Sequence, residues 1–304
     1  MQKTEKIWFD GKLIPWDQAH VHVLTHSLHY GLAVFEGIRC YQCTDGRSAV
    51  FRLREHIARL FDSAKIVKMK IPYSASQLEL AVVETLRVNK LKEGYIRPIA
   101  FIGAGEMGLY AVHNPIQVVI AAYPWGSYLG DEGIKNGIRV KISSFLRCQA
   151  SQELSRAKLT GSYVASIMAK LDALETGYQE AIMLSPDGNI SEASGENLFI
   201  VKGNVLKTPP LTSPLPGITR DAIIQFAKEM KIAFKEKDFK PKELLGSDEV
   251  FLTGTAAEIT PIREIDGKKI AVGKPGPITQ ALQKKFFATV KGEEPRYTSW
   301  LTYL

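Results

Sequence analysis

Lys158 and two glutamates, Glu192 and Glu196, are the residues whose types could do covalent and proton chemistry in this chain. Lys158 stands in Arg156-Ala157-Lys158-Leu159-Thr160-Gly161-Ser162-Tyr163, just before a helical pattern, where a side chain can project into a cleft. A lysine amine attacks a carbonyl, forming a Schiff base, only when neutral, which requires partial desolvation. A glutamate can hold a ring nitrogen protonated. Glu192 and Glu196 share one segment, Ile190-Ser191-Glu192-Ala193-Ser194-Gly195-Glu196-Asn197-Leu198-Phe199, and by type either could serve. Gly217-Ile218-Thr219 opens a helical pattern, where unpaired backbone N–H groups favour an anion. Gly254-Thr255-Ala256 offers a second small-residue turn after a strand, and Arg52, Arg54 and Arg59 supply forked cationic donors. A lone loop lysine is usually a solvated side chain. Its neighbours in sequence decide otherwise here.

Those neighbours resemble the class IV aminotransferases, the fold type IV enzymes of pyridoxal 5'-phosphate, and among them the branched-chain amino acid aminotransferases. The resemblance runs from about Trp8 to Phe287. Besides the lysine and glutamate segments it rests on Leu28-His29-Tyr30-Gly31, Phe35-Glu36-Gly37-Ile38-Arg39, Leu215-Pro216-Gly217-Ile218-Thr219-Arg220 and Thr253-Gly254-Thr255-Ala256-Ala257-Glu258. Several blocks in the family's order are far more specific than any one. The resemblance implies that Lys158 is the Schiff-base lysine and that Glu192 holds the ring nitrogen. It makes Tyr163 the partner of the ring oxygen and Arg59 the charged phosphate ligand. It sets Gly195 and Leu215 against the ring faces, while Ile218, Thr219 and Thr255, in the two turns that offer backbone N–H groups, complete the phosphate set.

The implied reaction is transamination of L-leucine, L-isoleucine and L-valine with 2-oxoglutarate, and its biosynthetic reverse. The site must accept an apolar side chain in one half-reaction and a carboxylate in the other. Aromatic residues with polar tips suit that task. The family pattern places Tyr30, Phe35, Trp125 and Tyr128 around the substrate side chain, and Tyr95 joins the substrate set from the same strand face as Arg97. It gives Arg97 to the glutamate carboxylate, and Thr255 and Ala256 to the α-carboxylate. Tyr30 enters from a partner subunit in the family, so a homodimer or higher oligomer is expected. D-amino acid aminotransferases and aminodeoxychorismate lyases share the fold and are the nearest alternatives.

The elements that must position these residues read as α+β. Strand patterns fall at 6–9, 20–23, 35–41 and 49–53, helical spacing at 54–69 and 76–89, and strands again at 95–102 and 115–122. Pro124-Trp125-Gly126-Ser127-Tyr128-Leu129-Gly130-Asp131 reads as a linker. Beyond it come strands at 138–143, 180–184, 197–201 and 249–253, with helices at 162–175, 219–230 and 278–290. The expected division is a small domain at 1–123, a linker at 124–133 and a large domain at 134–304 carrying Lys158. The resemblance makes the first an α/β sandwich-like domain and gives the second a barrel-like sheet.

The chain has 304 residues, 45% of them hydrophobic, enough for one large core or two ordinary ones. No apolar run reaches spanning length and no secretion signal opens the chain, so a cytoplasmic enzyme without a membrane segment is expected. The net charge of +7 is spread rather than striped, which argues against nucleic acid. Three cysteines fit a reducing compartment, and Cys40-Tyr-Gln-Cys43 opens no evident helix, so a thioredoxin-type role is not expected. Gly103-Ala104-Gly105-Glu106-Met107-Gly108 fits the dinucleotide pattern but lacks room for its helix before Pro115, so an NAD-type oxidoreductase is set aside. His20, His22, His26 and His29 lack partners at a recognised metal spacing, and no metal is expected. A non-enzymatic scaffold is disfavoured by the presence of Lys158.

Overall fold

The first sheet combines short strands with two longer ones, and two helices bury their apolar stripes in the same unit. The computed structural model describes residues 2–147 and 151–304. In chain order come β1 (Lys6–Phe9), β2 (Lys12–Pro15), α1 (His26–Tyr30), β3 (Ala33–Phe35), β4 (Ile38–Gln42), β5 (Ser48–Phe51), α2 (Leu53–Ile66), α3 (Ala75–Val88), β6 (Gly94–Ile102) and β7 (Ile116–Tyr123). Helix α2 buries Leu53, Ile57, Leu60 and Ala64 at helical spacing. Helix α3 starts on a capping box, in which Ser74 accepts from Gln77 N–H and the Gln77 side chain accepts from Ser74 N–H. Ile38, Ile96 and Ile120 of the sheet are fully buried with them.

Then follow α4 (Asp131–Asn136), β8 (Ile138–Leu146), α5 (Gln152–Ser155), α6 (Tyr163–Glu175), β9 (Glu180–Leu184), β10 (Ile190–Ala193), β11 (Asn197–Lys202), β12 (Val205–Thr208), α7 (Ile218–Glu229), β13 (Ala233–Glu236), α8 (Pro241–Leu245), β14 (Glu249–Gly254), β15 (Glu258–Ile265), β16 (Lys268–Lys269), α9 (Pro277–Val290) and β17 (Leu301–Tyr303). The second sheet runs β10-β9-β8-β15-β14-β11-β12-β13. Its core joins Ile138, Val140, Ile182, Leu198, Ile200, Val250, Leu252 and Ile262. β10 and β11 stand well apart in that strand order, yet a tight turn joins them and Ala193 N–H donates to Glu196 O, so the sheet curls as a half-barrel. The architecture is the expected α+β fold with a barrel-like second sheet.

The chain forms two units that are not consecutive stretches. The first holds Met1–Gly126, Ala157–Ser162 and Thr289–Leu304; the second holds Ser127–Arg156 and Tyr163–Ala288. The sequence division at 124–133 left 134–304 whole, whereas here the Lys158 segment and the C-terminus return to the first unit. Long-range pairing is the cause: Val34 bridges Leu159, Gly161 N–H donates to Gly31 O, and β17 pairs antiparallel with β5. Gly31 and Gly161 allow that approach, since a Cβ on Gly161 would lie 3.0 Å from Gly31 O.

Two strand expectations are corrected. Residues 20–23 form no strand, because Leu24 N–H turns back to His22 Nδ1 and Thr25 N–H to His22 O. The strand expected at 35–41 is broken at Glu36-Gly37 into β3 and β4. Glu36 turns its side chain inward there, and Tyr95 Oη occupies the space a Cβ on Gly37 would need.

Candidate active site

Within the first unit, Lys158 is half-buried and its backbone is tied on both sides. Its N–H donates to Ser63 Oγ on α2 at 3.0 Å, and its carbonyl accepts from Phe35 N–H at 3.2 Å. Its Nζ lies 4.9 Å from the centre of the Phe35 ring. Arg97 sits over the same ring at 4.9 Å and over Tyr95 at 5.4 Å, so the structure brings Lys158, Phe35, Tyr95 and Arg97 together. Trp125 packs edge-on against Tyr95 at 4.4 Å. Burial pushes the Tyr123 hydroxyl up, while its hydrogen bond with Arg97 pulls the other way.

Arg59 lies on α2, partly buried, beside the buried Glu36 and His56. Its Nε and one Nη donate to Glu36 at 2.7 and 2.9 Å, and His56 Nδ1 lies 2.7 Å from the same carboxylate. Since an ionised Glu36 only accepts, His56 Nδ1 carries the proton. Arg59 and His56 hold the Glu36 carboxyl far below the usual range, outweighing its burial. Burial in turn lowers His56, keeping the imidazole neutral. Of the other candidate arginines, Arg52 pairs with Glu55 and lies over Trp300, while Arg54 is exposed and faces Glu79. Tyr30 stands apart on α1, 43% exposed, stacking on His26 and accepting from Gly108 N–H.

In the second unit, Glu192 is buried on β10. Arg147 Nε approaches its carboxylate at 2.7 Å, and Asn197 Nδ2 and Leu215 N–H donate to it at 3.1 Å each. The Arg147 contact is an ion pair between two buried side chains. Asn197 also donates to Leu215 O at 2.9 Å, and a Cβ on Gly217 would collide with Asn197 Oδ1. One asparagine thus fastens the 215–217 segment to Glu192. Neither Asn197 nor Arg147 was singled out from sequence; Asn197 at least was signalled by its place at a strand start, directly after Glu196. Gly217 precedes α7, whose first intrahelical bond runs from Asp221 N–H to Gly217 O, so the N–H groups of Ile218 and Thr219 lie ahead of the ladder. Thr255 and Ala256 form the turn between β14 and β15. Tyr163 is the first residue of α6, and Tyr128 lies under the Lys170 ammonium at 5.0 Å.

Gly195 needs no left-handed backbone, and among the described residues no atom lies within 4 Å of where its Cβ would be. It presents an open backbone face. Glu196, by contrast, is buried and its carboxyl is pushed up to about 8, by burial first and then by the Glu180 charge. Of the two glutamates left open by the sequence, Glu196 is poorly suited to hold a cationic ring nitrogen.

The motifs set aside find ordinary partners. Cys40 Sγ points to Lys92 O and Cys43 Sγ to Val290 O; burial pushes the Cys40 thiol up to about 12 and also raises Cys43. Cys148 lies outside the described residues. Asn114 ties down Gly103 and Glu106, and no helix starts in that glycine loop. His26 and His29 meet the carbonyls of Gly108 and Val23. Among the described residues no helix is long and apolar enough to cross a membrane.

Residues 33–265 match the family Amino-transferase class IV. The branched-chain-amino-acid aminotransferase of Pseudomonas aeruginosa is 47% identical over 97% of this chain and 96% of its own length. That of Escherichia coli K12 is 46% identical over 99% of this chain and 97% of its own. The crystal structure of the Escherichia coli enzyme superposes with a TM-score of 0.94 over 98% of this chain and 99% of that one, at 46% identity. The branched-chain amino acid aminotransferase of Thermobaculum terrenum in its PLP-form gives 0.92 at 31% identity, over 100% of this chain and 99% of that one. The chain belongs to the class IV aminotransferases, among the branched-chain amino acid aminotransferases.

Proposed function

We propose that this aminotransferase uses pyridoxal 5'-phosphate to move the amino group of L-leucine, L-isoleucine or L-valine to 2-oxoglutarate, and back in the biosynthetic direction. The observation that carries the cofactor is the buried Glu192 carboxylate, held by Arg147, Asn197 and Leu215 N–H beside the open face of Gly195. A buried carboxylate so fixed needs no further partner for stability, and it suits a cationic ring nitrogen. When bound, the cofactor supplies an electron sink for the charge left by loss of the substrate's α-proton.

The chain's residues do the rest. Lys158 anchors the cofactor, then as a free amine takes the α-proton and returns it one atom away, acting as base and acid in turn. Phe35 limits water at its Nζ. Glu192 keeps the ring nitrogen protonated, Tyr163 donates to the ring oxygen, and Gly195 and Leu215 bound the ring faces. Arg59, Ile218, Thr219 and Thr255 hold the phosphate. Tyr30, Phe35, Tyr95, Trp125 and Tyr128 receive the substrate side chain, Arg97 its γ-carboxylate, and Thr255 and Ala256 N–H groups its α-carboxylate. The enzyme works in the cytoplasm as a homodimer or larger assembly, with Tyr30 serving a neighbouring subunit; its exposure on α1 supports that reading.

A visible spectrum of the cofactor-loaded protein before and after L-leucine tests the proposal. Conversion of the lysine-linked band to the aminated cofactor is expected. A band that L-leucine leaves unmoved rejects the substrate assignment, and Lys158→Ala protein that turns over normally rejects the lysine.

A further inference from the structure

The turn between β10 and β11 is gripped at consecutive residues by two buried carboxyl groups. Glu180, on β9 and fully buried, accepts from Ser194 Oγ at 2.6 Å and from Ala181 N–H at 2.8 Å. Its other oxygen meets Lys170 Nζ of α6 at 2.6 Å. Glu196 accepts from Gly195 N–H at 3.1 Å. Its stem lies against β14 where Gly254 has no side chain; a Cβ there would stand 3.4 Å from Glu196 Cγ. Two carboxyls and one ammonium are closed in together. Lys170 pairs with Glu180, and a second buried negative charge beside it would have to share that already engaged lysine.

We propose that Glu196 is a positioning residue: its buried carboxyl, with that of Glu180, clamps Ser194 and Gly195 so that the open face of Gly195 is presented to the cofactor ring. This rests on the assignment of Gly195 to a ring face in the proposed function. Glu196 touches no reacting atom in this role. The charged groups facing it are Glu180 from β9, Lys170 from α6 and Glu192 from β10; β14 brings none at Gly254. The Glu196 proton is held up to about pH 8. Its loss sets two carboxylates against each other under the turn, and a cofactor with a phosphate and a ring oxygenate then meets a more negative, displaced face.

The test is the dissociation constant of pyridoxal 5'-phosphate, read by fluorescence quenching of the full-length apo protein from pH 7 to pH 9. Wild type is compared with Glu196→Gln, whose neutral amide keeps the acceptor for Gly195 N–H. Every other group is common to both proteins, so the ratio of the two constants reads Glu196. The ratio of wild type to variant should rise about tenfold across that range, the factor expected for a proton lost near pH 8. Glu180→Gln removes the like charge and should flatten the wild-type rise as well. A ratio that stays constant overturns the proposal, as does a Glu196→Gln protein that fails to fold at pH 7 while Glu180→Gln keeps the full rise. If wild type binds no pyridoxal 5'-phosphate at all, the cofactor reading falls first and this inference with it.

Discussion

Glu36 in the first unit and Glu196 in the second are both buried glutamates, and their carboxyls are driven in opposite directions. Glu36 has a bidentate arginine and a histidine N–H, so its charge is cheaper inside than outside. Glu196 has one backbone N–H and a neighbouring carboxylate whose lysine is already engaged. Desolvation opposes the charge of both. The partners decide which side wins, and therefore which glutamate carries a charge at neutral pH.

The largest expected break comes from Glu36→Gln. It leaves the Arg59 charge buried without its carboxylate, for a loss of about 3–5 kcal/mol in chemical denaturation. A loss below about 1 kcal/mol would show that Glu36 is not the clamp described. Glu192 is the third buried glutamate and the one proposed to use its charge. Glu192→Gln should keep the cofactor bound by absorbance yet slow turnover about 100-fold or more, the scale of a lost proton-transfer contribution. Normal turnover would hand the ring nitrogen to another group.

The pH dependence of stability separates the pair more finely. The Glu36 carboxyl is lowered on folding, so its contribution is present above the ordinary value of 4.5 and fades only under strong acid. The Glu196 carboxyl is raised, so its contribution is present below 4.5 and is lost as pH climbs towards about 8. Thermal midpoints of wild type and Glu196→Gln should accordingly diverge between those values, the variant being favoured on the alkaline side. Parallel curves would erase the contrast. The smallest effect on stability is expected from Arg97→Ala. Arg97 lies against aromatic rings and the Tyr123 hydroxyl, so among the described residues its loss orphans no carboxylate. Its loss should reduce kcat/KM for L-glutamate about tenfold more than for L-leucine, the worth of one charged contact. An equal loss for both substrates excludes the carboxylate role.

The long helices were legible because apolar spacing writes them locally: 54–69 against Leu53–Ile66, and 219–230 against Ile218–Glu229. Strands β10 and β15 were not. Ile190–Ala193 is short and half polar, and Glu258–Ile265 carries a proline and begins at a residue with φ +54°. Both are strands because their neighbours supply hydrogen bonds, which single-residue preferences do not encode. The same limit applies to the site. Blocks around Lys158, Glu192 and Gly217 announce themselves as sequence, but Arg147 and Asn197 acquire meaning only when folding brings them to Glu192. Glu36 was visible inside a motif, while its bond to Arg59, nearly a full α-helical turn beyond His56, was not.

The interleaving of the two units bears on how the protein is made. Strand β17 comprises Leu301–Tyr303, made long after β5 (Ser48–Phe51), and its place is beside that strand. Until β17 is made, β5 offers an unpaired edge, the kind of surface on which chains aggregate. The Lys158 segment likewise joins a unit most of whose residues were synthesised earlier. Neither unit can be completed in order of synthesis, and no single recombination point could exchange one whole. Packing divides the molecule in two, but biosynthesis and inheritance must treat it as one.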